Sequence, residues 1–534
     1  MKRVITWILL IAFVLSGLAA VVMADVTRNV GPGGIKLTPA APKFTDAERQ
    51  AELARRRAAV AKRMAPNSIM ILWSAEPRNY AGDVDFYYRQ ENNLYYLTNM
   101  KQGEATLVIV KNSDTISEYL FMPKRNPQFE TWNGKMYSND DATRISGVKN
   151  VIDSEEQTAY FTALGKKETF ASKGGITVPA SAENLYLLLP NGERDANGTA
   201  EFSRESSFSK MVSSYKVVNA RPMFSELRSI KSPIELKLLQ HAIDITTEAQ
   251  MRSMAMVGRA KMEYEVHAEV EYTFRRRNAD YWGYPSIVGC GANATTLHYV
   301  ESQGSVKQGD LMLMDVGAEY DHYTADVTRT YPVNGKFTKE QAEIYQIVYD
   351  AQQAVASVTK PEAKMSTIEK TSVDTVKAGL LKLGLITSLD GTYDATFNGQ
   401  TMKISQHRLW FMHGNSHWLG MNVHDVGDYS APLKPGMVFT NEPGIYLRED
   451  ALDYLPDTPD NRAFLAKVRP VYEKYRGIGV RIEDDLLVTP TGVEWMTKEL
   501  PRKIEDIEAF MAKASQEFVY TASNRTAQSN IFIY

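Results

Sequence analysis

Histidine is scarce in this chain, eight residues in 534, yet His298, His322, His407, His413, His417 and His424 fall within one C-terminal stretch. A lone buried histidine is ordinarily a satisfied structural residue, but a group interleaved with acids at strand ends points to metal binding or proton transfer. The acids carry the stronger signal. Asp315 ends the apolar run Leu311-Met312-Leu313-Met314, and Asp326 opens Val327-Thr328-Arg329-Thr330. A chain reversal near Tyr320-Asp321 sets Asp315 directly opposite Asp326, with Cβ atoms about 4.5–5.5 Å apart. Two facing carboxylates among apolar strands repel and are costly to desolvate, and a divalent cation between them removes that cost. The plainer alternative, an aspartate turned to solvent, suits either residue singly better than it suits the pair.

Two more acids stand in unfriendly surroundings, Glu442 in Val438-Phe439-Thr440-Asn441-Glu442-Pro443-Gly444 and Glu483 in Gly479-Val480-Arg481-Ile482-Glu483-Asp484-Asp485. Strand alternation puts Arg481 and Glu483 on one face, so a plain ion pair is the bland reading. The three consecutive acids from Glu483 make that reading uncomfortable without a counter-ion. One imidazole with four carboxylates is a hard, mixed O/N donor set suited to Mn, Co, Fe or Zn, and shared carboxylates make a two-metal hydrolytic site plausible. His413 and His417 are four apart, but Gly414 stands where H-E-x-x-H has Glu, and Gly420 opposes a regular helix. The pair is therefore not a zincin motif.

The elements that must position these residues follow from pattern. With 44% hydrophobic and 23% charged residues and a mean hydropathy of -0.32, the chain is globular, neither disordered nor polytopic. Its length suggests two to four domains. A net charge of -3 gives no reason to expect nucleic acid or a stable membrane partner. The single cysteine, Cys290, excludes an intramolecular disulfide and a multi-thiolate zinc site. Lys2 and Arg3, the apolar run Val4 to Leu15 and Val22-Met23-Ala24 read as an export signal over 1–24, so the protein is expected to be periplasmic or secreted, with an uncleaved membrane anchor as the alternative. Residues 25–45, rich in Pro and Gly, read as a flexible lead-in.

A helix over Asp46 to Met64, with Asp46 as cap, and strands at Ser68–Ser74, Ala105–Val110 and Glu118–Met122 predict a mixed α/β domain over 46–219. A second domain over 220–513 opens with Ser232-Pro233-Ile234-Glu235, a helix start running to about Met256. A helix over Lys261–Arg277 and strands over Ser286–Val333 follow. Helices at Lys339–Val358 and Met365–Leu383 then precede a strand-rich stretch from His407 to Val488. Two helix-then-strands blocks suggest a duplicated α+β half. A closing helix spans Ile504 to Lys513, and 514–534 is a tail.

With these residues in place, the chain resembles the pita-bread metallopeptidases, and more narrowly the Xaa-Pro aminopeptidases (aminopeptidase P), with prolidase as a close relative. The matching segments are Met314-Asp315-Val316-Gly317, Ala325 to Val333, His413 to Gly420 with Val423 to Gly427, Glu442 to Tyr446, and Gly479 to Asp485. The fold implied is an N-terminal α/β domain followed by a pita-bread, duplicated α+β catalytic domain. The resemblance implies two divalent metal ions, Mn2+ first, with Co2+ or Zn2+ as alternatives. Asp315 would bind one ion, Asp326 and Glu483 would bridge both, and His417 and Glu442 would bind the other. A hydroxide shared by the metals would attack the scissile carbonyl, with Glu442 as proton carrier. His298 and His424 would contact substrate and steady the tetrahedral intermediate, and His413, Tyr446 and Arg481 match neighbouring substrate-binding positions. The partners implied are peptides beginning Xaa-Pro and further copies of the chain in a dimer or tetramer. The alternatives are a dipeptide-restricted prolidase and a non-catalytic peptide-binding or creatinase-like relative. The long connection from Arg448 to Arg476 departs from the family pattern.

Overall fold

The computed structural model describes residues 29–113, 115–190 and 202–518; the expected export signal over 1–24 and the end of the tail, 519–534, lie outside the described residues. Contacts divide the chain into a unit of Lys43–Arg228 and a unit formed by Ser229 onward together with the segment ending at Pro42. Among the described residues no helix is long and apolar enough to cross a membrane.

The first unit is built on a six-stranded mixed sheet, in the order Lys216–Asn219, Asn184–Leu187, Ser68–Trp73, Thr106–Lys111, Ile116–Met122 and Asn150–Asp153. Its central strand is buried along its whole length, which explains why Ser68–Trp73 reads as an unbroken apolar run rather than an alternating one. The helix Asp46–Arg63 is capped by Thr45, one residue before the expected cap Asp46. Thr45 Oγ1 accepts from the Glu48 N–H at 3.2 Å and Glu48 accepts from the Thr45 N–H at 2.7 Å, a reciprocal cap that leaves Asp46 as the first helical residue. The helix Arg221–Ser229 groups with this unit and not with the second: Phe224 is buried, Arg63 pairs with Glu226, and Arg228 donates to Asn93 at 2.8 Å.

The second unit is the duplicated α+β arrangement. In its first half the helices Pro233–Met256 and Glu263–Arg276 cover the antiparallel strands Ile287–Cys290, Leu311–Val316 and Val327–Pro332. In its second half the helices Lys339–Val358 and Met365–Leu383 accompany Val438–Asn441, Asp484–Val488 and Val493–Trp495, with a short ladder of Gly444–Tyr446 on Gly479–Arg481. The first helix starts as its sequence predicts, with Ser232 Oγ accepting from the Glu235 N–H and Glu235 accepting from the Ser232 N–H. The halves meet where Val327–Pro332 runs beside residues 479–483. There the Glu483 N–H donates to the Thr328 carbonyl at 3.0 Å and Thr330 Oγ1 donates to the Arg481 carbonyl at 2.9 Å.

Three expectations change. The lead-in is not free chain from Asn29 onward: the Gly33 N–H donates to Glu517 at 2.7 Å, Ile35 is buried in the core, and Thr38 bonds Glu248. Gly33 has a φ of 73° and lies where a Cβ would be 2.5 Å from Ala514 Cα, so glycine here serves close packing. The closing helix accordingly runs to Glu517, past Lys513, with Ala514 buried. The stretch 407–437 is largely irregular, and the long connection after Arg448 holds a helix, Pro459–Tyr475. Thr458 caps it, and Phe464, Val468 and Tyr472, at four-residue spacing, face inward. Phe464 stacks on Tyr393, and Tyr472 stacks on Trp410.

Candidate metal centre

Asp315 and Asp326 share one face of the Leu311–Val316/Val327–Pro332 ladder, but they are diagonal rather than opposite. Asp315 pairs with Thr328 and Val316 with Val327. The turn sits at Asp321-His322, one residue later than expected, with Tyr320 paired to Tyr323. Both turn residues have positive φ, 50° and 69°, the conformation a two-residue hairpin of this twist demands. That placement shifts every partner by two residues and keeps both carboxylates on the same side.

The second half supplies the remaining groups to the same place. Asp326, His417 and Glu483 each present one ligand atom, all within 4.8 Å of one another. His417 Nε2 lies 3.2 Å from Asp326 Oδ2 and 3.3 Å from Glu442 Oε1. Its Nδ1 faces the Trp418 carbonyl at 3.2 Å, a partner that can only accept, so Nδ1 carries a proton and Nε2 is the atom turned toward the acids. Arg481 Nη2 donates to Asp315 at 2.6 Å, and Thr328 Oγ1 donates to Glu483 at 2.7 Å. Arg481 Nη1 also donates to the Tyr446 hydroxyl, whose proton goes to His413 Nε2, while His413 Nδ1 donates to the Gly414 carbonyl, each step 2.8 Å.

His424 joins this group, its ring centroid 4.3 Å from that of His417. His298 lies exposed in the turn after the 3-10 segment Gly291–Thr295, near enough for its charge to be felt by His424. His322 and His407 take no part: the first sits in the hairpin turn and the second bonds Ser405.

The electrostatics are those of acids crowded away from water. Burial, reinforced by neighbouring carboxylates, holds Asp326 above the usual carboxylate range, Glu483 well above it, and Glu442 up at about 7. Burial works against charge on His417, but the Asp326 hydrogen bond and the Glu442 charge outweigh it and hold the imidazole up at about 9. Burial pushes His413 down to about 3 and His424 down to about 4, so both rings are neutral near pH 7. Such a set fits a divalent cation: four carboxyls and one correctly tautomeric imidazole surround a space in which Arg481 is the fixed positive charge.

The acids after Glu483 have other partners. Asp484 pairs with Arg329 at 2.6 Å, both fully buried, and accepts from Gln352 at 2.7 Å. Asp485 accepts from the Asp326 N–H at 3.3 Å. One contact was not foreseen from sequence: the Tyr284 hydroxyl lies 2.5 Å from Asp315 Oδ1 and 2.5 Å from Asp326 Oδ1. Tyr281-Trp282 pairs with Ala318-Glu319 and carries Tyr284 against Gly317, where a Cβ would be 2.8 Å from the ring. Gly317 beside Asp315 was the available signal.

Residues 237–490 match Metallopeptidase family M24, and residues 53–171 match the aminopeptidase P N-terminal domain. The chain is 35% identical to the Xaa-Pro aminopeptidase of Escherichia coli (strain K12) over 471 residues, 87% of this chain and 98% of that protein. It is 31% identical to Xaa-Pro aminopeptidase 3 of Rattus norvegicus, over 83% of this chain and 80% of that protein. Among solved structures, E. coli aminopeptidase P with the inhibitor Pro-Leu superimposes with a TM-score of 0.73 at 31% identity, covering 89% of this chain and 100% of that one. Taken with the two-domain order and the acid cluster, these matches establish that the chain belongs to metallopeptidase family M24, in its aminopeptidase P group.

Proposed function

We propose that this protein is a metal-dependent Xaa-Pro aminopeptidase, releasing the N-terminal residue from peptides with proline in second position. The observation that carries the reading is the convergence of Asp326, His417 and Glu483 within 4.8 Å, in a chain whose relatives are named for that activity. Two divalent ions suit the donor set, and Asp315, Asp326, His417, Glu442 and Glu483 would hold them. Mn2+ is the proposed native metal, with Co2+ or Zn2+ as substitutes; an E. coli aminopeptidase P structure is described as Zn substituted. When bound, such ions would lower the pKa of water toward neutrality and polarise a carbonyl.

The chain's own residues do the rest. Glu442, its Oε1 turned to His417, carries the proton from the nucleophile to the leaving amine. His298 and His424 bind the substrate backbone and the oxygen that gains charge at the scissile carbonyl. Arg481 holds Asp315 in place, and its bond to the buried Tyr446 hydroxyl continues to His413, which is partly exposed. Proline has no N–H to bind and a φ fixed near -65°, so selection rests on shape.

The test is a chromatographic time course on matched Xaa-Pro-Yaa, Xaa-Pro and Xaa-Ala-Yaa peptides. Release of Xaa from the first alone is the expected result. Activity confined to the dipeptide would indicate a prolidase, and equal activity on the alanine peptide would remove proline selectivity. Export is proposed on Lys2, Arg3 and the apolar run after them; it predicts mature protein beginning near Asp25. Self-association into a dimer or tetramer is proposed on the family resemblance and is read by light scattering.

A further inference from the structure

Glu263, the first residue of the helix Glu263–Arg276, is fully buried and touches none of the metal-centre groups described above. Its Oε1 accepts from the Cys290 N–H at 2.7 Å and from Asn293 Nδ2 at 2.9 Å. Its Oε2 accepts from the Tyr299 hydroxyl at 2.7 Å and from the Gly304 N–H at 2.6 Å. The Glu263 N–H returns a bond to the Gly304 carbonyl at 2.9 Å. All four donors belong to residues 290–304, the segment that carries His298 at its exposed turn. Asn293 and the Gln303 N–H also donate to the Tyr299 hydroxyl, at 3.0 and 3.1 Å, so the segment is cross-tied from both ends to one carboxylate.

A buried carboxylate is retained where donors replace its lost water, and charge-assisted bonds are the stronger ones. These four donors come from one loop, so the side chain fixes that loop's path. Gly304 shows how closely: a Cβ there would be 2.7 Å from Glu263 Oε1. We propose that Glu263 is a positioning residue for hydrolysis, clamping the 290–304 segment and so fixing the place of His298. The proposal rests on the reading of His298 as a substrate contact.

Glu263→Gln places an amide NH2 against donors. Whichever way that amide turns, the Cys290 or the Gly304 N–H loses its acceptor. The test combines hydrogen exchange with a double-mutant cycle on the full-length, metal-loaded enzyme. Faster amide exchange over 290–304 is expected in Glu263→Gln, with metal content and exchange near Asp315 and Glu483 unchanged. On an Xaa-Pro-Yaa peptide, Glu263→Gln should lower kcat about tenfold, the scale of one buried hydrogen bond, while the same change in a His298→Ala background should add nothing. Unaltered loop exchange, or a tenfold loss that multiplies with His298→Ala, would overturn the proposal. Normal turnover by His298→Ala alone would instead remove the substrate role of His298, and loop exchange would then decide the clamp by itself. Should Glu263→Gln fail to fold, Tyr299→Phe removes one of the four donors and is held to the same pattern.

Discussion

Arg481 Nη2 stands 2.6 Å from Asp315 Oδ2, and both groups are buried where the two halves of the catalytic unit meet. The same guanidinium reaches the Tyr446 hydroxyl and Thr328 Oγ1, so one side chain ties a first-half acid to second-half strands. Arg481→Ala leaves Asp315 without its fixed partner; the metal-free protein should lose on the order of 3 kcal/mol, and turnover should fall even with metal restored. Arg481→Lys should not rescue, because an ammonium lacks the planar fork that serves three acceptors at once. Urea unfolding and steady-state kinetics check both; full activity in the Lys variant would contradict the role.

Tyr284 has one proton for two carboxylates. Tyr284→Phe should keep the fold and weaken metal retention or activity by roughly 10- to 100-fold, the usual effect of losing a group that orients ligands. Chelator competition on the purified variant measures this. Unchanged affinity and rate would reduce the tyrosine to a packing residue.

His424 is neutral near pH 7 and packs edge-on against His417. His424→Ala should retain its metals and lose about a hundredfold in kcat, as for a donor to developing negative charge. Loss of metal from the variant would make His424 a ligand.

Much of this site was legible because its acids are misplaced for any other purpose: Asp315 and Asp326 break apolar strands, and Glu442 and Glu483 do so again in the second half. What was not legible depends on contacts between distant segments. The diagonal register turns on two residues at positive φ, Asp321 and His322, neither of which is a glycine that would announce the turn. Tyr284 reaches the acids because Gly317 has no side chain, and the sequence does not show which aromatic fills that space. Gly31 to Gly34 reads as free chain, yet Gly33 permits the close approach of Ala514. The connection after Arg448 reads only as a long departure from the family pattern within a strand-rich stretch, although Phe464, Val468 and Tyr472 have the spacing of one helical face. Asp484 suggested a missing cation, and the cation is Arg329, far away in sequence but adjacent in the fold.

His407 offers a pH test away from the metal ligands. Burial, with the charges of Lys377 and Arg408, pushes its imidazole down to about 4. An unfolded histidine protonates near 6.5, so below that pH the unfolded chain binds a proton that the folded one refuses. The stability this contributes is complete above pH 6.5 and drains away as pH falls toward 4. Urea midpoints at about pH 7.5 and about pH 5 should converge in His407→Gln relative to the unsubstituted protein. An equal pH dependence in both would contradict the assignment.

The account stands on Asp326, His417 and Glu483 holding divalent metal for peptide hydrolysis. Its most direct test is metal stoichiometry and Xaa-Pro-Yaa turnover, measured on the same preparation of the unsubstituted protein, Asp326→Asn and Glu483→Gln. The unsubstituted protein should bind two ions and release Xaa, and each variant should lose metal and hydrolysis together while keeping a cooperative unfolding transition. Either variant retaining two ions and near-normal turnover would contradict it.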